Sequence, residues 1–429
     1  MNEPILGSVL ILGSGPAAIQ TAKVIRPLCS LLGIASRHSS NWKRRYQLLQ
    51  SSQQGTCIAA KESLTHLAGD VRFDNIYADF THLNGDWSTL LIATPSHAFL
   101  DVLSCLPDAI LTNVKRVVLL SSLPGGTQMV KGLLQAKHLS PEIIVFSNYF
   151  AASKFLESAK DTKLSVLTKA VKKRIYAHSN HAQSPTIESL KRALTNIDVE
   201  VLLLDNAFSA EGRNITLYVH PAFFITPFSL NHIVSQQPTV KYMYKLFPEG
   251  PITPDAIKTL VNLWRDISCV ITHFGGQPIN LLQFLNDDNY PVHPETLSRD
   301  QIEHFCELST AEKEYLIYIR YSAILIDPFS PPDEQGRYFD FSAVPYSKGS
   351  IDNGKLQLPR IPMEDLQSLY WIKALATSYD IEVTNIQSVL TTFELWVEEN
   401  QYSTQIIEQL NDQAQNALHW ALIGKNNHE

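Results

Sequence analysis

The run Val9-Leu10-Ile11-Leu12-Gly13-Ser14-Gly15-Pro16-Ala17-Ala18 constrains this chain more than any other stretch. A short apolar segment ends on glycines and passes directly into Ile19-Gln20-Thr21-Ala22, which reads as helix. A buried parallel strand has this texture. The spacing Gly-x-Gly-x-x-Ala is that of the turn that receives a dinucleotide pyrophosphate. Gly13 permits the tight turn, Gly15 lets the backbone approach a phosphate, and Ala18 keeps the helix close to its strand. Pro16 sits in the first helical turn, where its missing N–H costs nothing. The N–H groups of that turn, around Ser14 and Ala17, face the phosphates.

A second apolar run, Leu31-Leu32-Gly33-Ile34-Ala35-Ser36, follows the helix, and the residues after it select the nucleotide. An acid there holds the ribose hydroxyls of NAD. This chain instead places Arg37, His38, Ser39 and Ser40, then Lys43, Arg44 and Arg45. A carboxylate would repel a 2′-phosphate, whereas a guanidinium binds it with paired hydrogen bonds. NADP(H) is therefore expected, with Arg37 and Lys43 as its contacts. Lys43 to Arg45 also suit a solvated helix face.

The chain has 429 residues, 45% hydrophobic and 18% charged, the texture of a globular protein of two or three domains. Its formal net charge of −7 gives no reason to expect a nucleic-acid or anionic-membrane partner. Five scattered cysteines without a CxxC fit a reducing cytoplasm. The start of the chain lacks the basic region of a signal peptide, and no apolar run approaches the roughly eighteen residues of a membrane span.

Residues 1–185 read as alternating strands and helices, including Val71-Arg72-Phe73, Asn75-Ile76-Tyr77, Thr89 to Thr94, Arg116 to Ser122 and Glu142 to Asn148. The expected fold class is α/β: an N-terminal Rossmann-like doubly wound parallel sheet binding NADP(H), followed over 186–429 by a mainly α-helical substrate domain. Ligands of such sheets sit at the carboxyl ends of the strands. Thr94 and Ser121 are thereby cofactor contacts, with Ser96 and Asn148 as further candidates. Helical periodicity dominates 186–197, 253–275, 300–324 and 363–398. A last stripe, Ile406, Ile407, Leu410, Ala414, Ala417, Leu418 and Ala421, has the spacing of a docking or dimer face.

Two stretches of the second half carry chemistry. One is Glu211-Gly212-Arg213-Asn214-Ile215-Thr216-Leu217-Tyr218-Val219-His220-Pro221, where a histidine precedes a proline. Imidazole titrates near neutrality, so it both gives and takes a proton during turnover. The other is Gly336-Arg337-Tyr338-Phe339-Asp340-Phe341-Ser342-Ala343-Val344-Pro345-Tyr346, one carboxylate among aromatics. Such a group orients a histidine and stabilises its cation. Spacing alone leaves a structural loop His and a capping Asp equally open.

These residues carry a resemblance. The fingerprint, His220-Pro221 and the run from Arg337 to Tyr346 resemble opine dehydrogenases, and more specifically the opine-metallophore dehydrogenases of the staphylopine and pseudopaline synthase type. Leu217 to Pro221, Tyr244 to Thr253, Asn280 to Phe284, Ala323 to Ser330 and Tyr338 to Pro345 add to it, nearly end to end. The resemblance implies NADPH-dependent reductive condensation of an α-keto acid with the primary amine of an aminobutyrate-extended amino acid, often histidine-derived. The product chelates divalent metals, while the protein need hold none. It also implies a homodimer. His220 and Asp340 become the catalytic pair. Arg337, Lys245 and Arg213 are candidates to meet substrate carboxylates or to form ordinary ion pairs, with Tyr218 and Tyr346 as lesser ones. In Tyr149-Phe150-Ala151-Ala152-Ser153-Lys154, staphylopine-type sequences carry an acid where Ala152 stands. That difference favours 2-oxoglutarate over pyruvate, provided Ala152 lines the pocket. An opine dehydrogenase acting on a free amino acid and a non-catalytic NADP(H)-binding regulator are the alternatives.

Overall fold

The computed structural model describes residues 4–156, 162–235, 237, 240–325 and 343–425. Its contacts divide the chain into two units, the first of residues 1–213 and 419–429, the second of residues 214–418. The break falls at Arg213/Asn214 rather than near 185, because the segment after 185 still belongs to the first sheet.

In the first unit the strands are β1 (Gly7–Leu12), β2 (Cys29–Ala35), β3 (Gln54–Ala59), β4 (Gly69–Arg72), β5 (Asn75–Ile76), β6 (Thr89–Ile92), β7 (Arg116–Leu119), β8 (Glu142–Phe146), β9 (Ala151–Leu156), β10 (Leu164–Val171), β11 (Arg174–Ser179) and β12 (Glu200–Leu203). Eight form one sheet in the order β12-β11-β8-β7-β6-β1-β2-β5. It is parallel from β5 to β8, with β11 antiparallel to β8 and β12 parallel to β11. The central strands read as unbroken aliphatic runs because helices cover both faces, and Val9 to Leu12 are fully buried. Strand order reverses at β1, whose neighbours are β2 and β6, and a ligand crevice forms outside the carboxyl ends at such a point.

A second, four-stranded sheet, β4-β3-β10-β9, was not anticipated. It takes Gly69–Arg72 out of the doubly wound pattern, while Asn75–Ile76 pairs with β2 in the first sheet. β9 is an edge strand with alternating exposure, and its Ala152 and Lys154 face solvent.

The second unit is mainly helical. The helix Thr216–Phe224 packs against Pro254–His273 and Arg360–Thr377. Two of the helical windows hold two helices each: 300–324 covers Arg299–Glu303 and Thr310–Leu325, and 363–398 covers Arg360–Thr377 and Thr384–Glu399. Buried Asp266 accepts from the Asn385 and Ile386 N–H groups and so holds the start of Thr384–Glu399.

The final helix, Gln405–Lys425, buries Ile406, Leu410, Ala414, Ala417 and Ala421 against this chain's own residues. The stripe is therefore a docking face used internally, and it no longer argues for a dimer. Its last turns belong to the first unit, where Gln128 donates to the Ala421 carbonyl at 3.1 Å. There Gly132 and Gly424 let two helices touch: a Cβ on Gly424 would meet the Gln128 carbonyl at 2.6 Å. Among the described residues no helix is long and apolar enough to cross a membrane.

Candidate active site

The nucleotide cradle lies in the first unit. Gly13 has φ of +136°, and a Cβ there would meet the Ala93 carbonyl oxygen at 2.7 Å, so only glycine fits between β1 and β6. Gly15 begins the helix Pro16–Ile25, and a Cβ on it would point into open space, which leaves the backbone accessible to a ligand. Thr94 presses a methyl toward Gly13, and its buried Oγ1 has no hydrogen-bond partner among the described residues. An orphaned hydroxyl beside a glycine turn and a helix start is what a phosphate-bearing ligand would satisfy. Ser96 Oγ donates to the Ser121 carbonyl at 3.3 Å, tying together the loops after β6 and β7.

Ser39 caps the helix Ser40–Ser52 by accepting from Trp42 N–H, and this places the basic cluster in the first turns. Within the cluster the roles separate. Arg45 donates to the Ser14 carbonyl at 3.2 Å and lies over the Phe155 ring at 4.0 Å, so it braces the turn. Ser36 donates to Ser14 Oγ at 3.1 Å. Lys43 is exposed. Arg37 is half-exposed and pairs with Asp101 at 3.6 Å. These residues fit a dinucleotide carrying a 2′-phosphate.

The proton-transfer group lies in the second unit. His220 sits in the helix Thr216–Phe224, which tolerates Pro221 at the loss of one internal N–H donor. Its Nδ1 is 3.4 Å from Asp365 Oδ1, and its Nε2 is 3.2 Å from the Tyr244 hydroxyl. The Phe224 ring packs on the imidazole at 5.1 Å. Asp365 is buried in Arg360–Thr377, and its other oxygen, Oδ2, has no hydrogen-bond partner among the described residues. Burial raises the Asp365 carboxyl above the usual range, and the His220 ring pulls it back down. The arrangement can hold a proton on the imidazole and pass it through Nε2.

Asp340 and Arg337 lie outside the described residues; among the described residues the carboxylate beside His220 is Asp365, which sequence reasoning did not single out. Lys245 lies next to Tyr244 in sequence and is 3.9 Å from Glu249. Tyr218, two residues from His220, is fully buried and packs inside the unit. Tyr346 shares a 2.8 Å hydrogen bond with buried Ser229. In the first unit the Tyr149 hydroxyl bonds Ser153 at 2.8 Å, and from there a chain runs through Thr168 to Gln20. Asn148 donates to the Arg213 carbonyl, and the Arg213 guanidinium lies over Tyr176 at 4.9 Å.

Sequence reasoning also missed Glu211. Fully buried, it accepts from Ser122 Oγ, Gly125 N–H, and both the N–H and Oγ1 of Thr127, at 2.7–2.9 Å. Gly125 and Thr127 open the helix Gly126–Ala136, and Ser122 lies just before it. Burial pushes its carboxyl up to about 7, against the downward pull of those bonds.

A staphylopine dehydrogenase profile matches residues 7–420. The chain belongs to the staphylopine dehydrogenase family. It is 40% identical to a pseudopaline synthase of Pseudomonas aeruginosa, over 91% of this chain and 89% of that one. It is 35% identical to a staphylopine synthase of Staphylococcus aureus, over 91% and 90%. The solved yersinopine dehydrogenase with NADP+ bound superposes with a TM-score of 0.86 at 31% identity, over 97% of this chain and 98% of that one. An octopine dehydrogenase with NADH and agmatine, at 14% identity and TM-score 0.62, over 98% of this chain and 99% of that one, shares the fold. Membership of this family makes the protein an opine dehydrogenase whose α/β fold ends in a helical domain.

Proposed function

We propose that this opine dehydrogenase performs NADPH-dependent reductive condensation of an α-keto acid with the primary amine of an aminobutyrate-extended amino acid, the last step in making an opine-type metallophore. The observation that carries the reading is His220 held between Asp365 and Tyr244. Relatives named as pseudopaline, staphylopine and yersinopine synthases support it, as does the NADP+-bound neighbour.

Bound NADPH supplies the hydride that reduces the imine carbon. Gly13, Ser14, Gly15 and the start of Pro16–Ile25 would hold its pyrophosphate, with Thr94 and Ser121 in the loops beside it, and Arg37 and Lys43 would meet the 2′-phosphate. Condensation needs a neutral amine and an acid for the departing water. His220 performs both transfers, with Asp365 fixing the ring and stabilising its cation. Lys245 and Arg337 meet the substrate carboxylates. The product binds divalent metals in solution. The enzyme works in the cytoplasm as a homodimer, which light scattering would check.

The test is NADPH oxidation by purified protein offered pyruvate or 2-oxoglutarate, each with and without a histidine-derived aminobutyrate amine and a series of plain amino acids. Oxidation requiring both an α-keto acid and the extended amine supports the reading. Oxidation with plain amino acids alone replaces it with an octopine-type activity. NADPH binding without turnover replaces it with a regulator. Where staphylopine-type sequences carry an acid this chain carries Ala152, which makes 2-oxoglutarate the expected keto acid provided that position lines the substrate pocket. Ala152→Asp should lower kcat/KM for 2-oxoglutarate about tenfold relative to pyruvate, as repulsion of the distal carboxylate by roughly 1.4 kcal/mol would do.

A further inference from the structure

His220 has two ring nitrogens, and both are engaged. Nδ1 faces Asp365, which fixes the neutral tautomer with its proton on Nδ1 and leaves Nε2 as an acceptor. The Tyr244 hydroxyl occupies that acceptor at 3.2 Å. A substrate atom taking a proton from Nε2 would have to displace this phenol or receive the proton through it. Displacement is opposed by the setting of Tyr244, whose ring packs edge-on against Phe224 at 5.6 Å and beside the imidazole at 6.4 Å. Asp365 is buried while His220 and Tyr244 are half-buried, and the Tyr244 hydroxyl ends the Asp365–His220–Tyr244 row.

We propose that Tyr244 is a catalytic residue, its hydroxyl carrying the proton between His220 Nε2 and the oxygen that leaves as water. The proposal rests on the reductive-condensation reading and assigns its acid. In the addition product of amine and keto acid, the C–O bond breaks as the nitrogen lone pair forms the C=N bond. The departing oxygen takes the phenolic proton and leaves as water. The phenolate oxygen takes the Nε2 proton of the imidazolium in the same event. One proton has moved from His220 to water, and the ring is left neutral with its Nδ1–H toward Asp365. The same contact serves both states: Nε2–H donates to the phenol before the step, and the phenol donates to Nε2 after it. Burial and the neighbouring Asp365, Tyr321 and Tyr290 hold the phenol above its ordinary range, so the hydroxyl carries its proton when the step begins. Nothing in the sequence singled out Tyr244 for this role, because the residue lies 24 positions from His220 in an irregular stretch.

The experiment compares wild type with Tyr244→Phe in the condensation assay, and measures NADPH affinity by fluorescence and thermal melting on the same samples. Tyr244→Phe is expected to lower kcat about 10²-fold, the scale of one acid–base contribution. NADPH affinity and melting should stay near wild type. In mixtures of H2O and D2O, wild-type kcat should fall along a curve, since two protons move together, and the variant along a line. Fluorotyrosine at position 244 preserves size and fold while making the phenol more acidic, so kcat should change with it. A kcat within threefold of wild type in Tyr244→Phe, or an unchanged kcat with fluorotyrosine, overturns the relay. A loss of kcat matched by lost NADPH affinity or lower melting also overturns it, in favour of a structural role. Wild type that turns over no mixture of keto acid and amine overturns the reductive-condensation reading itself, and the relay with it.

Discussion

Glu211 and Asp365 are both buried carboxylates, one in each unit, and they are treated in opposite ways. Glu211 is saturated by four donors at and just before the start of the helix Gly126–Ala136. Among the described residues Asp365 has one long contact, 3.4 Å to His220, and an oxygen with nothing to accept from. A buried charge is tolerated when its lone pairs are filled. The difference teaches that saturation marks a carboxylate serving the fold, and under-saturation beside a titratable ring marks one serving chemistry.

The largest effect that would break the comparison comes from Asp365→Asn. Loss of the group that orients and charges His220 should lower kcat by about 10³–10⁴-fold, with NADPH affinity unchanged and melting no lower than wild type. Steady-state kinetics with fluorescence titration and calorimetry would check it. A smaller and opposite effect is expected from Glu211→Gln. Its amide nitrogen must face a donor, so the fold should lose about 1–3 kcal/mol while kcat changes little. Denaturant titration measures the loss. Exchanged outcomes, with turnover lost at Glu211 and stability lost at Asp365, would reverse the assignment.

The smallest effect is in the pH dependence of stability. Glu211 moves from an ordinary value of 4.5 to about 7 in the fold, so between those values the folded chain holds a proton that the unfolded chain has lost. Its contribution is complete below about 4.5 and is lost as pH rises toward 7, at most about 1.4 kcal/mol per pH unit. Denaturation midpoints from pH 4.5 to 8 should fall in wild type and flatten over that window in Glu211→Gln.

What the sequence revealed and what it hid follow from how far each signal reaches along the chain. The Gly13–Ala18 turn is local, and the positive φ at Gly13 and the open space at Gly15 are what its spacing required. The strands β6, β7 and β8 were legible because burial on both faces leaves unbroken aliphatic runs. The four-stranded sheet was not legible, since β3 finds its parallel partner β10 more than a hundred residues later. His220 stood out by type and by its proline neighbour. Asp365 did not, because Met363-Glu364-Asp365-Leu366 reads as an ordinary amphipathic helix, and only packing brings its carboxylate to the imidazole. Glu211, in the run before His220, carries no local signal of its role, since its donors come from residues 122–127.

The return of the last helix to the first unit has a consequence for how the protein is made. A ribosome delivers residues 1–213 early, yet the carbonyl that Gln128 needs and the glycine that lies against Gly132 arrive only with Ala421 and Gly424. The nucleotide-binding unit therefore waits, with a helix face uncovered, while all of the second unit is synthesised. Synthesis order and assembly order differ in this chain: the half that emerges first is the half completed last.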